Sequence, residues 1–317
     1  MLGAAICLLS TAGIWRWVRC PIRVLVDCMR SVQRRQLGTR AQPTGPPETR
    51  FLAASFNEMI ESLDRHERDR IQELQRARQI QERLLPTTNI VIPNTRITFQ
   101  YAPAEPIGGD YLDVFQSDGG RWLIAIADVC GHGVAAALLA TLFKTHVRNQ
   151  AAVRSSPSDI LHVVNSQLCS IMSDGEFITC LLGFYDAHAG TLDYVNAGHP
   201  PGLIVNTDGR LVSHLETTSS VLGVWPSTAI ESGEAILRAG DRLVLYTDGL
   251  VECLDSSERL FGNERLAQAI ARTATVDPME QITQLLREAR IFSAAGRMVD
   301  DVTVLILQRN PDPPSAE

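Results

Sequence analysis

No two of the chain's seven cysteines (Cys7, Cys20, Cys28, Cys130, Cys169, Cys180 and Cys253) stand two residues apart. That absence excludes a zinc knuckle and a dithiol redox motif, and the scatter gives no disulfide framework. Reduced thiols are the default reading. A basic excess is also missing: 29 Lys and Arg face 36 Asp and Glu, a formal net charge of -7. A nucleic-acid binder would normally carry a basic surface, so no nucleic-acid partner is expected. No internal repeat occurs. Nor is there an uncharged apolar run of the about 20 residues that a full membrane span needs.

What comes nearest to a span is the N-terminal "MLGAAICLLSTAGIWRWV", uncharged as far as Trp15. As a signal peptide it lacks the basic n-region and a convincing cleavage site. As the end of a membrane helix it would place Trp15 and Trp17 at the interface and Arg16, Arg19 and Arg23 on the cytoplasmic side. Seven arginines against Asp27 and Glu48 between Arg19 and Arg50 favour the second reading, also over a buried helix of a soluble domain. The expectation is a partial transmembrane helix over residues 1–18. It would lie in the inner membrane, with the rest of the chain in the cytoplasm.

Residues 19–71 read as helix, connector, helix. Pro21 suits a first helical turn, and Ile22, Leu25, Val26, Met29 and Val32 recur at helical spacing. "GTRAQPTGPPETR" is a connector full of helix breakers. Helical spacing resumes at Leu52, Phe56, Met59, Ile60 and Leu63. This hairpin resembles a HAMP domain through Pro21-Ile22-Arg23, Glu48 and "FNEM" at Phe56–Met59, although the acidic step of the connector is degenerate at Pro47-Glu48-Thr49. The resemblance implies a parallel homodimer. Residues 72–88 continue as a linker helix with a polar-diluted coiled-coil seam through Ile71, Leu74, Ala77, Gln81 and Leu84. The seam ends at Pro86.

From Thr95 the texture changes. Short apolar strands such as "YLDVFQ", "RWLIAIAD", "ITCLLGFYDA", "DRLVLYTDG" and "DVTVLILQ" alternate with turns rich in Gly, Asp and Pro. Helical stretches intervene at Val134–Val147, Pro157–Ile171, Asn263–Ala271 and Pro278–Phe292. Hairpin-length turns predict antiparallel sheets and an α+β fold over residues 95–309. The tail 310–317 is expected to be disordered.

Aspartates stand at strand edges in four segments: Asp110 after two glycines, Asp128 ending "WLIAIAD", Asp248 in "LYTDGL", and the tandem Asp300-Asp301 before the last strand. One Asp-Gly after a strand is ordinarily a turn. Four that meet at one sheet edge would need a counter-charge. All-oxygen donors suit Mg²⁺ or Mn²⁺ better than zinc.

With "GGDYLDVF", "IADVCGHGVAAALLA", "NAGHPPGLIV", "GDRLVLYTDGLVE" and "DDVTVLIL" in order, and "QERLLP" upstream, residues 95–309 resemble the metal-dependent protein phosphatases of the 2C class. This is the PPM family, and the likeness is to its bacterial SpoIIE/RsbU branch. The resemblance implies two antiparallel sheets packed face to face with helices outside. It also implies two Mn²⁺ or Mg²⁺ ions held by Asp110, Asp128, Asp248 and Asp300 and by the Val129 carbonyl. Asp128 would bridge the ions, and Asp301 is the alternative to Asp300. Asp110, Asp128 and Asp248 are then the catalytic carboxylates of a phosphoserine or phosphothreonine phosphatase. Its implied substrate is a STAS-type anti-sigma-factor antagonist, attacked in line by a metal-activated water.

His132, between Gly131 and Gly133, is either a general acid or a helix-start residue, the second being favoured. His199 in "NAGHPP" and Cys130 are expected to be structural. Two other functions compete: a catalytically dead scaffold that only binds its partner, and a nucleotide cyclase behind a HAMP module. Retention of every carboxylate argues against the first. The GGDEF box of diguanylate cyclases would need Glu-Phe where Tyr111-Leu112 stand.

Overall fold

The computed structural model describes residues 15–311, except 35, 37, 88 and 89. The apolar run to residue 14 and most of the tail expected to be disordered, 312–317, lie outside the described residues. The chain divides into two compact units, Met1–Arg76 and Ala77–Glu317.

In the first unit a π-helical turn, Trp15–Arg19, leads into α1 (Cys20–Gln33). Helix α2 runs from Pro47 to Leu84, so its last residues belong to the second unit. It starts inside the segment expected to be connector, because a proline in the first turn gives up only an N–H that has no helical partner there. Leu25 of α1 and Ala53, Phe56 and Ile60 of α2 bury one another with Ala41 of the connector. The "FNEM" asparagine ties the connector to α2. Asn57 Oδ1 accepts from Ala41 N and its Nδ2 donates to Ala41 O, both at 2.8 Å. One side chain thus satisfies both main-chain groups of a connector residue.

The membrane expectation is overturned. Among the described residues no helix is long and apolar enough to cross a membrane. Helix α1 has 14 residues, and α2 owes its 38 to a chain studded with Arg, Glu and Asp.

Among its described residues the second unit holds ten strands in two five-stranded sheets, ordered β1-β10-β9-β6-β7 and β2-β3-β4-β5-β8. Strand pairing is antiparallel throughout. The long strands are β1 (Thr95–Ala102), β2 (Tyr111–Gln116), β3 (Trp122–Val129), β4 (Ile178–Asp186), β5 (Thr191–Ala197), β9 (Arg242–Tyr246) and β10 (Val302–Arg309). The short ones are β6 (Gly202–Val205), β7 (Leu211–Leu215) and β8 (Gly233–Ile236). Alternation along the strands builds the layers. In β3, Ile124 and Ile126 meet Leu243, Leu245, Leu305 and Leu307 of the other sheet. Leu123, Ala125, Ala127 and Val129 turn the other way, onto α3 (Gly133–Ala151) and α4 (Pro157–Leu168). Val302, Val304 and Ile306 of β10 likewise cover α5 (Gly262–Arg272) and α6 (Pro278–Phe292). A strand buried on both faces reads as a continuous apolar run. The result is an α/β/β/α sandwich, as the α+β reading and the resemblance implied.

Strands β7 and β8 were not anticipated from the sequence. Both lie at sheet edges and are largely exposed, so neither carries a run of apolar residues.

Candidate metal centre

The aspartates do not come from one sheet edge, as expected, but from both sheets. Asp110 precedes β2 and Asp128 lies near the end of β3 in one sheet; Asp248 follows β9 and Asp300-Asp301 precede β10 in the other. The side-chain period of two puts Asp128 on the same face as Ile124 and Ile126, the face turned to the other sheet.

Asp110 is the most deeply placed, 4 % exposed. Its Oδ2 accepts from Thr247 Oγ1 at 2.9 Å and Thr303 Oγ1 at 2.6 Å, two hydroxyls of the opposite sheet. Burial, then the charge of Asp128, holds its carboxyl well above the usual range, against the pull of those hydroxyls. Burial and the charges of Asp248, Asp300 and Asp301 push Asp128 up to about 7. Asp248 opens a 3₁₀ turn, Asp248–Leu250, and burial raises it, with Glu252 and Asp300 adding to the shift. These carboxylates act on one another as like charges in a partly dehydrated place, which favours protons or cations there.

The tandem divides its labour. Asp301 is buried, and its carboxylate accepts from Ala104 N at 2.8 Å and Gly109 N at 2.7 Å. It therefore braces the loop that delivers Asp110. Asp300 is exposed, and its Oδ1 accepts from Asp301 N at 2.8 Å. Close approach explains two glycines. A Cβ on Gly109 would stand 2.9 Å from the Val129 carbonyl, and one on Gly249 would run into the Asp301 carbonyl.

Among the described residues no three His, Cys, Asp or Glu side chains are drawn together tightly enough to hold a metal ion. The four carboxylates share an electrostatic field without a closed coordination shell. The donor chemistry still fits a hard divalent cation: it is all oxygen, negative and raised in pKa by its own crowding.

His132 is 79 % exposed at the start of α3, with Nδ1 3.4 Å from Glu105 Oε1. Cys130 is tied to the 175–177 loop: Sγ donates to Gly175 O and accepts from Phe177 N. That contact suits the packing role expected of it.

Several residues that support the site were not evident from sequence. Thr247, just past β9, and Thr303 on β10 are inconspicuous in sequence until the opposite sheet puts Asp110 between them. Gln81, expected only as a seam residue, clamps Gly108: Oε1 accepts from its N–H at 3.2 Å and Nε2 donates to its carbonyl at 2.6 Å. Gly108 is two residues from Asp110. The fully buried Asp113 accepts from Arg148 Nε at 2.6 Å, Arg148 Nη2 at 2.8 Å and Lys144 Nζ at 3.0 Å. Lys144 also donates to Leu84 O, at the end of α2. The four-residue spacing of Lys144 and Arg148 on one helix face was the available signal.

The sequence model described as Stage II sporulation protein E (SpoIIE) matches residues 118–310. The chain belongs to the SpoIIE family. A HAMP domain model matches residues 14–65. Protein IcfG of Synechocystis is 26% identical over 266 residues, covering 75% of this chain and 42% of its own length. The phosphoserine phosphatase RsbP of Bacillus subtilis is 31% identical over 185 residues, covering 57% of this chain and 45% of its own. The chain thus spans less than half the length of these two relatives. Among solved structures, the SiaA-PP2C domain of Pseudomonas aeruginosa superposes with a TM-score of 0.67 at 22% identity, over 77% of this chain and 98% of that one. At that identity the likeness speaks for the SpoIIE-family fold alone.

Proposed function

We propose that the chain is a metal-dependent protein serine/threonine phosphatase acting on a regulatory phosphoprotein. The observation that carries this is the convergence of Asp110 and Asp128 from one sheet with Asp248 and Asp300 from the other, in a field that lifts Asp128 to about 7. Asp128, Asp110, Asp248, Asp300 and the Val129 carbonyl would hold two divalent ions, Mn²⁺ or Mg²⁺. Bound there, such ions supply Lewis acidity toward a phosphoryl group and lower the pKa of a bound water. The chain's own part is to hold the carboxylates in place, and their raised pKa makes a bound cation what keeps them ionised. Asp301, with both oxygens engaged by N–H groups, serves as a brace, and Asp300 is taken as the ligand.

In this reading residues 95–309 are the catalytic domain, 19–71 a HAMP-like hairpin and 72–88 the linker helix that feeds it. The hairpin leaves Ile22, Val26 and Met29 of α1 and Leu52, Met59 and Leu63 of α2 exposed. These six apolar side chains are available to a second copy, so a parallel homodimer is proposed. The substrate class is inferred from the family: a phosphorylated STAS-type anti-sigma-factor antagonist. Incubating the chain with phosphorylated STAS proteins and Mn²⁺ tests the reading. Release of phosphate from at least one, abolished by chelation, is the expected result. No release from any of them, nor from generic phosphoserine peptides, would leave a binding scaffold.

A further inference from the structure

The turn Asn196–Pro201 carries a buried imidazole that the carboxylate site does not use. Asn196 builds the turn. Its Nδ2 donates to Leu215 O at 3.0 Å, and its Oδ1 accepts from His199 N at 2.8 Å. Gly198, at φ 70, supplies the left-handed step between them. The His199 side chain ends up 2 % exposed.

The ring meets residues of both sheets. His199 Nδ1 lies 3.0 Å from Thr179 Oγ1 on β4. Thr179 stands directly opposite Asp128 in the β3–β4 ladder, so the two side chains share a face. On the other sheet, the main chain of Tyr246 acts on the ring. Tyr246 ends β9, two residues before Asp248. Nε2 is buried without a regular hydrogen bond. The Thr179 hydroxyl can donate to the ring, which leaves the N–H of the neutral imidazole on Nε2. Nδ1 then accepts from the Thr179 hydroxyl. Burial pushes the imidazole down to about 3, so the ring stays neutral wherever a general acid would need a proton to give.

The geometry points to His199 as a positioning residue: a neutral strut between the two sheets that sets the spacing of Asp128 and Asp248. The inference rests on the metal-phosphatase reading and deepens it. Asp110, a carboxylate of the site itself, also bonds beside Asp248 through Thr247; His199 makes its link without being a candidate ligand.

The test uses the full chain with His199→Gln, His199→Leu and Thr179→Val. Glutamine can donate on one side and accept on the other, leucine can do neither, and the valine removes only the hydroxyl. Mn²⁺ binding is followed by the resonance signal of the free ion, and hydrolysis by phosphate release from a phosphoserine peptide. His199→Leu should weaken Mn²⁺ binding by about tenfold or more, the range lost when a metal ligand's support is removed. It should lower kcat with little change in KM for the peptide. Thr179→Val should fall between, and His199→Gln should recover most of the loss. Should the leucine variant not fold, the glutamine and valine variants decide.

Wild-type Mn²⁺ affinity in folded His199→Leu and Thr179→Val overturns the strut, as does a glutamine variant as damaged as the leucine one. Wild-type protein that binds Mn²⁺, shows these affinity shifts and hydrolyses no phosphoester sinks the phosphatase reading and leaves the strut standing. Failure of the wild type to bind Mn²⁺ sinks both.

Discussion

The two units solve the problem of burying apolar surface differently. The body from Ala77 onward closes on itself. Three clusters fill the space between its sheets and beneath both pairs of helices, and Leu123, Phe143, Ile160 and Leu305 are wholly buried. The hairpin before it buries five apolar residues among those described and leaves others, such as Leu52 and Met59, about half exposed. A body with a complete core can hold carboxylates rigidly enough to resist their mutual repulsion. A hairpin with an incomplete one is stabilised by whatever covers it, and in the proposed homodimer its stability would depend on protein concentration. Catalysis and assembly should therefore fail independently.

The largest expected effect sharpens that separation. Asp128→Asn and Asp248→Asn should each remove most phosphatase activity, on the order of a hundredfold or more, since metal-assisted charge stabilisation amounts to several kcal/mol. Chelation should match that loss, and Mn²⁺ or Mg²⁺ should restore only the wild type. Neither variant should change the oligomeric state seen by light scattering. Wild-type turnover in either would remove these residues from the centre.

Next in size is a stability effect confined to the body. Asp113→Ala leaves Lys144 and Arg148 without the carboxylate that both now address. Breaking a buried ion pair by removing one partner costs about 3–5 kcal/mol, an upper bound here because the Arg148 side chain is 46% exposed. Denaturant unfolding of the body should shift by that order, while the dimerisation constant stays unchanged. Leu63→Glu should do the reverse, because a charge in an apolar seam is not tolerated. Sedimentation should find a monomer whose body unfolds as in the wild type. A dimer unaffected by Leu63→Glu would mean that the exposed face is not the interface.

The fold was legible because its long strands are buried on both sides. "WLIAIADV" and "VTVLILQR" can hardly be anything else, and the carboxylate at the end of an apolar run stands out against it. Legibility stops where a contact depends on the other sheet. Nothing near Thr247 or Thr303 in sequence announces that both will bond Asp110. The Asp300-Asp301 tandem could not be assigned from spacing, since one residue of register exchanges the exposed and the buried member. The membrane helix was misread for a related reason. Arginines after an apolar stretch resemble a membrane flank, yet here they decorate helices too short or too charged to cross one.

A smaller and more conditional effect belongs to the helix shared by both units. Gln81 holds Gly108, and Lys144 holds the Leu84 carbonyl, so the end of α2 is fastened next to the Asp110 loop. Two residues inserted between Leu74 and Leu84 would rotate that end by about 200°, while seven nearly preserve its phase. Activity should change roughly tenfold with the first insertion and little with the second, as expected when a population shift of about 1.4 kcal/mol is at stake. Equal activity in both would reduce the helix to a tether.

The smallest effect is a slope with pH. His199 holds its proton only below about 3 in the folded chain, against 6.5 as its ordinary value. Between those values the unfolded chain takes up a proton that the folded chain refuses. Stability contributed by the neutral ring is therefore fully present above pH 6.5 and is lost as the pH falls. The loss is at most about 1.4 kcal/mol per pH unit. His199→Gln has no such proton to bind. Its unfolding free energy, followed by urea titration from pH 7.5 down to 5, should fall less steeply than that of the wild type. The hairpin offers no buried histidine to add a slope of its own, since the described core there is Leu25, Ala41, Ala53, Phe56 and Ile60. Parallel slopes for the two proteins would mean that the ring is open to water and protons, and the contrast between a sealed body and an open hairpin would lose its sharpest local marker.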